Sequence, residues 1–317
     1  MLESELLSAE ILGVSEPAAQ LRVFTENVAR NSDPAMLLGE SGTGKQLAAR
    51  VIHENSARRA GPLLVVDCSL YYERELKREL FGYGGAGACG KERGGVFEAA
   101  RKGTCYLAHV EELTPALQES VMTFLREGKY ARLGDGKLIS TDTRLLVSSE
   151  KNLEAFVRSG LFSADFYEAI RQQTHYCQPL RDRREDVGVV VEAMCSAGRS
   201  IGTASPPIFD AAALGALQSY PWPGNFDELV SEVSRVLETG ISNIKAQNLA
   251  AEVAGYWLGQ RGDPETRMVL EELDGYIREF RILSRIGCEF GDPTVESENP
   301  GLEYLEVERD LLEDYWT

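Results

Sequence analysis

The chain has 317 residues, 43% of them hydrophobic and 26% charged, and a net charge of −17; that length suits about two domains, one with a full α/β core. No apolar run approaches the ~20 residues that span a bilayer, and Met1-Leu2-Glu3-Ser4-Glu5 lacks a basic-then-apolar signal pattern, so a cytoplasmic protein without membrane contact is expected. The cysteines (Cys68, Cys89, Cys105, Cys177, Cys195, Cys288) show no CxxC pairing and His53, His109 and His175 no metal-ligand spacing, which excludes an obvious zinc site or disulfide framework. Cys68, Cys105 and Cys195 lie in apolar stretches and read as small core residues.

Residues 1–10 read as a leader, and Ile11-Leu12-Gly13-Val14-Ser15 opens the folded body. A helix with Leu21, Val23, Phe24 and Val28 facing inward leads to the apolar strand Ala35-Met36-Leu37-Leu38. Then comes Gly39-Glu40-Ser41-Gly42-Thr43-Gly44-Lys45, followed by the helical run Gln46–Ile52. Strand, glycine-rich turn and helix N-terminus together form an anion site, with backbone N–H groups pointing inward and Lys45 adding a point charge. This GxxxxGK pattern predicts a nucleotide, ATP or ADP, held by residues 39–46.

A second strand, Leu63-Leu64-Val65-Val66-Asp67, is a continuous apolar run of the kind buried on both faces of a parallel sheet. Third and fourth strands are predicted at Gly103–Ala108 and Thr143–Val147, with helices between them. That alternation means a doubly wound α/β domain with a parallel sheet flanked by helices. After Arg181 the pattern is purely helical through Leu237, a small lid punctuated by turns at Gly202–Pro207 and Tyr220-Pro221-Trp222-Pro223-Gly224-Asn225. Beyond it, Val269, Leu273, Tyr276, Phe280 and Leu283 form one apolar helical stripe, Asp292–Pro300 reads as a loop, and Leu302–Trp316 mixes acidic with aromatic residues. Residues 263–317 carry 16 Asp or Glu against 5 Arg and no Lys, a sign that argues against DNA binding there. The domains expected are 1–10, 11–180 (α/β), 181–245 (lid) and 246–317 (acidic helical extension without a recognisable DNA-binding unit).

Several motifs now stand in one order. Gly39–Lys45, Glu79-Leu80-Phe81-Gly82, Gly103-Thr104, Glu112-Leu113-Thr114-Pro115-Ala116-Leu117-Gln118, Pro179–Val187 and Tyr220–Asn225 resemble the AAA+ central domain of the bacterial enhancer-binding proteins, the activators of sigma-54 RNA polymerase. The likeness covers roughly residues 10–245. It implies a P-loop AAA+ fold, ATP hydrolysis with Mg²⁺, ring assembly and transcription regulation. The hydrolytic positions that it implies are filled differently here. Where the family's third strand ends in Asp-Glu, this chain has Ala108-His109. Alanine cannot coordinate, and neutral imidazole suits hard Mg²⁺ poorly, which makes the metal doubtful. The family's two asparagines correspond to Asp67 and Glu150, the latter an anion pointed where a γ-phosphate would sit. Its two inter-subunit arginines correspond to Ser163 and Ala169, and its lid arginine to Asp227. The sigma-contacting Gly-Ala-Phe-Thr-Gly-Ala loop corresponds to Gly84-Gly85-Ala86-Gly87-Ala88-Cys89-Gly90, without Phe and Thr.

Three readings follow. The first is a pseudo-ATPase that binds nucleotide and acts through protein contacts, capping or poisoning a ring of an active paralogue or joining a second copy of itself, without remodelling sigma-54. The second is a nucleotide-independent scaffold that works through the acidic-aromatic tail. The third is a slow ATPase with His109 as base.

Overall fold

The computed structural model describes residues 11–84, 92–134, 138–197 and 206–261. The apolar stripe 269–283, the tail 302–316, the loop 85–91 and residues 202–205 lie outside these. The chain divides into two compact units, residues 1–253 and 254–317; the first contains the sheet, the glycine loop and the lid helices before residue 251.

Helix α1 (Glu16–Ala29) starts where the Ser15 side chain accepts from the Ala18 N–H, satisfying one of the free donors of the first turn. Its inward face carries Leu21, Thr25 and Val28. Val23 is 58% exposed, contrary to the predicted face, because it falls between the i, i+4 positions of that stripe. The sheet comprises β1 (Ala35–Leu38), β2 (Leu63–Asp67), β3 (Thr104–Ala108), β4 (Arg144–Ser149) and β5 (Thr174–Tyr176), in the spatial order β2-β3-β4-β1-β5 with every pair parallel. Successive side chains alternate between its faces. Met36, Cys105, Leu107, Leu145 and Val147 enter the core under α3 (Glu73–Phe81) and α4 (Pro115–Glu127). Leu37, Tyr106 and Leu146 enter the core with α1 and α2 (Lys45–Glu54). Helices therefore cover both faces, as predicted.

Two strand readings need correction. β2 is an edge strand, not a fully enclosed one: Val65 is 44% exposed and only Val66 is buried. An apolar run cannot distinguish a central strand from an edge strand, since that depends on which neighbours pair. β5, Thr174-His175-Tyr176, carries no apolar run and was not predicted; its pairing with β1 creates it. Cys68, Cys105, Cys177 and Cys195 are free and buried, in keeping with core roles.

Two short helices, α5 (Leu153–Arg158) and α6 (Ala164–Ile170), precede β5, and α6 packs against both α5 and α4. The lid is built from α7 (Glu185–Ala197), α8 (Ala211–Ser219) and α9 (Asn225–Glu238). It is not purely helical: Ile208–Phe209 (β6) and Asn243–Ile244 (β7) form a short parallel pair. Trp222, almost fully buried, donates its indole N–H to the Leu217 carbonyl at 2.7 Å and fixes the Pro-Trp-Pro turn before α9. Helix α10 (Ala251–Arg261) follows. No described helix is long and apolar enough to cross a membrane.

Candidate nucleotide site

In an open parallel sheet, the carboxyl ends of the strands form a crevice where loops converge. Here that edge collects the loop 39–45 after β1, Asp67 at the end of β2, Ala108 and His109 at the end of β3, and Glu150 after β4. The phosphate loop has the geometry of an anion cradle. Gly44, in the left-handed region at φ 91°, precedes the first turn of α2, and a Cβ built on it would meet nothing within 4 Å. The space beside Gly44 is thus open, at the helix N-terminus where first-turn N–H groups lack intrahelical partners and suit a phosphate. Gly42 is required for another reason: a Cβ there would lie 2.2 Å from the Gly224 carbonyl oxygen of the lid. Thr43 is buried and its hydroxyl donates to the Glu40 carbonyl, while Ser41 and Gln46 are exposed.

Lys45 is 8% exposed, and its ammonium donates to the Gly39 and Glu40 carbonyls at 2.8 and 2.6 Å and to Glu150 Oε1 at 3.3 Å. An ammonium has three donors, so all are engaged. The same Glu150 oxygen lies 3.4 Å from His109 Nε2, and His109 Nδ1 is 2.8 Å from Asp67 Oδ1. Glu111, 8% exposed, accepts from the Glu150 backbone N–H at 3.0 Å; its other oxygen is buried without a partner. Four residues considered separately from the sequence therefore form one chain, Asp67–His109–Glu150–Lys45.

This chain changes the expected state of His109. Burial lowers its pKa, but the hydrogen bond to Asp67 and the charges of Asp67, Glu150 and Glu111 outweigh that and leave it above 6.5. Desolvation opposes ionisation of Asp67, yet its bonds from Ser69 and His109 leave its carboxyl below the usual value. An imidazole between two carboxylates donates from both nitrogens only when protonated. The neutral imidazole assumed from sequence is thus replaced by a cation-favouring one. His109 itself adopts φ 54°, a left-handed conformation uncommon for a residue with a side chain.

These strand ends do not fit Mg²⁺. Ala108 offers no donor, and Gln46 follows Lys45 where P-loops commonly have a hydroxyl for the metal. Asp67 and Glu150 already face His109, and among the described residues no group of three His, Cys, Asp or Glu could hold a metal.

The lid closes over the back of the loop. Asn225, fully buried and left-handed at φ 53°, donates to the Ser41 carbonyl at 2.8 Å and accepts from the Leu180 N–H at 2.8 Å. Phe226 N–H donates to the Gly42 carbonyl at 2.9 Å. Arg181 grips Glu40 bidentately at 2.7 and 2.6 Å, and this bond chiefly lowers the Glu40 pKa. The Glu40 side chain is therefore a lid contact, and only its backbone belongs to the loop. Asp227 Oδ2 lies 3.3 Å from where a Cβ on Gly42 would be, so a carboxylate borders the loop. Asp186, completely buried, accepts from Val14 N–H, Ser15 N–H and the Ser15 hydroxyl, tying α7 to the start of α1.

Ser163 and Ala169 are not brought to this crevice's network. Ser163 caps α6 through a bond from Phe166 N–H, and Ala169 lies on that helix. A pocket of about 410 Å³ beside Ser163, lined by Gln118, Met122, Arg126, Leu161 and Phe162, is separate from the phosphate loop. The loop's chemistry, not concavity, marks the site. Asn225, Arg181 and Asp186 stood within motifs already noted, but their contacts span up to 185 residues and have no local signal. Glu111 has none either, as one of two adjacent glutamates in the 3-10 turn Val110–Glu112.

A parallel sheet with a glycine loop and lysine at its carboxyl edge, closed by a helical lid, defines the P-loop NTPase fold. The sequence model of the Sigma-54 interaction domain matches residues 11–174, and that of the AAA+ ATPase lid domain matches residues 181–256. The chain belongs to the Sigma-54 interaction domain family. It is 38% identical over 246 residues to the nitric oxide reductase transcription regulator NorR2 of Cupriavidus necator, covering 76% of this chain and 47% of that protein. With the regulatory protein AtoC of Escherichia coli the identity is 33%, over 67% of this chain and 47% of AtoC. The chain spans about half the length of the curated relatives that it matches. Among solved structures, NtrX from Brucella abortus in complex with ATP superposes with a TM-score of 0.72 at 29% identity, covering 79% of this chain and 56% of that one. The ADP complex of NtrX gives 0.71 at 28%, over 80% and 57%.

Proposed function

We propose that this chain is a nucleotide-holding, non-hydrolysing member of its family, working in the cytoplasm on transcription regulation through protein contacts. The observation that carries the reading is the chain Asp67–His109–Glu150–Lys45 beside Ala108, where phosphoryl transfer would need Mg²⁺ and an oriented water. Solved NtrX complexes with ATP and ADP support the nucleotide half of the reading. The N–H groups at the start of α2 hold phosphate with the Lys45 charge beside them, and the strand ends supply no group that polarises a water.

His109 is poorly suited to be a base. A base needs a free lone pair, and Nε2 faces the Glu150 carboxylate while Nδ1 faces Asp67. Calorimetric titration with ATP and ADP, beside a phosphate-release assay, tests the reading. Binding without turnover is expected. Turnover abolished by His109→Ala would overturn it in favour of a slow ATPase, and absence of binding would favour a nucleotide-independent scaffold.

The regulatory half predicts a partner of the same family. Ring ATPases share sites between neighbours, and Ser163 and Ala169 offer no arginine to an adjacent subunit. Mixed into an active family member, this chain should lower ATP turnover more than in proportion to its fraction; proportional dilution would count against a poisoning role. Sigma-54 remodelling is no part of this role, because Gly84–Gly90 lacks the apolar anchor of the contact loop. Open-complex formation driven by this chain alone would remove that part.

A further inference from the structure

We propose that Glu150 is a built-in stand-in for a terminal phosphate, which makes the site selective for nucleoside diphosphates over triphosphates. The inference rests on the nucleotide-holding reading above and names its ligand. A P-loop lysine reaches the β- and γ-phosphates of a nucleotide. Here the Glu150 carboxylate already sits 3.3 Å from Lys45 Nζ, on the side of the lysine facing the strand ends.

Glu150 is an exposed residue that the network nonetheless tethers. Its backbone N–H is held by Glu111 Oε1 at 3.0 Å, its carboxylate faces His109 Nε2 at 3.4 Å, and its side chain is 27% exposed. A diphosphate can occupy the N–H groups at the start of α2 and leave the Lys45–Glu150 pair intact. A third phosphate must either share that space with a carboxylate or pull Lys45 from its partner. Like charges a few ångströms apart repel strongly where water is partly excluded. Metal would ordinarily neutralise the added charge by bridging the β- and γ-oxygens, but Ala108 provides no ligand for it. Asp227, beside Gly42, adds a further negative group to the rim.

Titration calorimetry with ADP and with ATP, each with and without Mg²⁺, tests this on the full chain and on Glu150→Gln and Glu150→Asn. The wild type should bind ADP about tenfold or more tighter than ATP, the scale of one partly screened charge contact. Both variants should bring the two affinities together, mainly by tightening ATP. Equal affinities in the wild type, or an unchanged ratio in both variants, would overturn the role of Glu150 while leaving the nucleotide site standing. Binding of neither nucleotide to any of the three proteins would overturn the site itself and this inference with it.

Discussion

The two walls of the crevice differ in what they are made of. The loop wall, residues 39–45 with the lid turn against it, is mostly backbone: N–H groups at the start of α2, carbonyls gripping Lys45, and glycines set by φ or by close approach. The strand-end wall is mostly side chain: Asp67, His109, Glu111 and Glu150 in mutual contact. A backbone site depends on local conformation and persists through most substitutions outside its glycines. A side-chain site takes on whatever chemistry its residues carry. One fold can therefore set a backbone loop opposite a wall whose chemistry is decided by its side chains, here a chain of ion pairs.

Substitutions on either wall can break that contrast. Lys45→Ala should have the largest effect, weakening nucleotide binding by about a hundredfold or more, because it removes the positive charge beside the phosphates and leaves Glu150 unpaired against them; near-wild-type affinity by calorimetry would mean the loop is not the site. Gly42→Ala comes next. Its Cβ would lie 2.2 Å from the Gly224 carbonyl at φ 70°, so a loss of about 2–4 kcal/mol is expected, read as a lower denaturant midpoint.

On the strand-end wall, His109→Gln should cost less, under about 1 kcal/mol given partial exposure, and its cost should depend on pH. A raised folded pKa stabilises below the unfolded value near 6.5 and is lost as pH rises through the folded value. Asp67, lowered from 3.8, contributes above its unfolded value and loses that as pH falls through the folded one. The gap in Tm between wild type and His109→Gln should therefore be wider near about pH 6 than near about pH 9; a gap that widens with alkali would contradict the chain of ion pairs. Smallest of all, Val65→Thr on the exposed edge strand should change stability by no more than about 0.5 kcal/mol in urea unfolding.

Much of this architecture was legible in the chain. Apolar runs located four of the five strands, the glycine spacing located the loop, and the motifs from Gly39 to Asn225 gave the family. What escaped had no local signature. β5 is a strand through its pairing with β1, and β2 is an edge through its place in the order. At the site, Ala108, His109, Asp67, Glu150 and Asp227 could each be marked as unusual, yet each looked like a separate gap.

The amino-acid sequence by itself determined the phosphate cradle, because a glycine-rich turn between strand and helix is a local conformation written in adjacent residues. Only the tertiary structure decided what Lys45 faces. Glu150 stands 105 residues from it in the chain, and Asp67 stands 42 from His109. Parallel strands bring their carboxyl ends together regardless of distance in sequence, and at that edge acids and imidazole meet closely enough to set one another's charge.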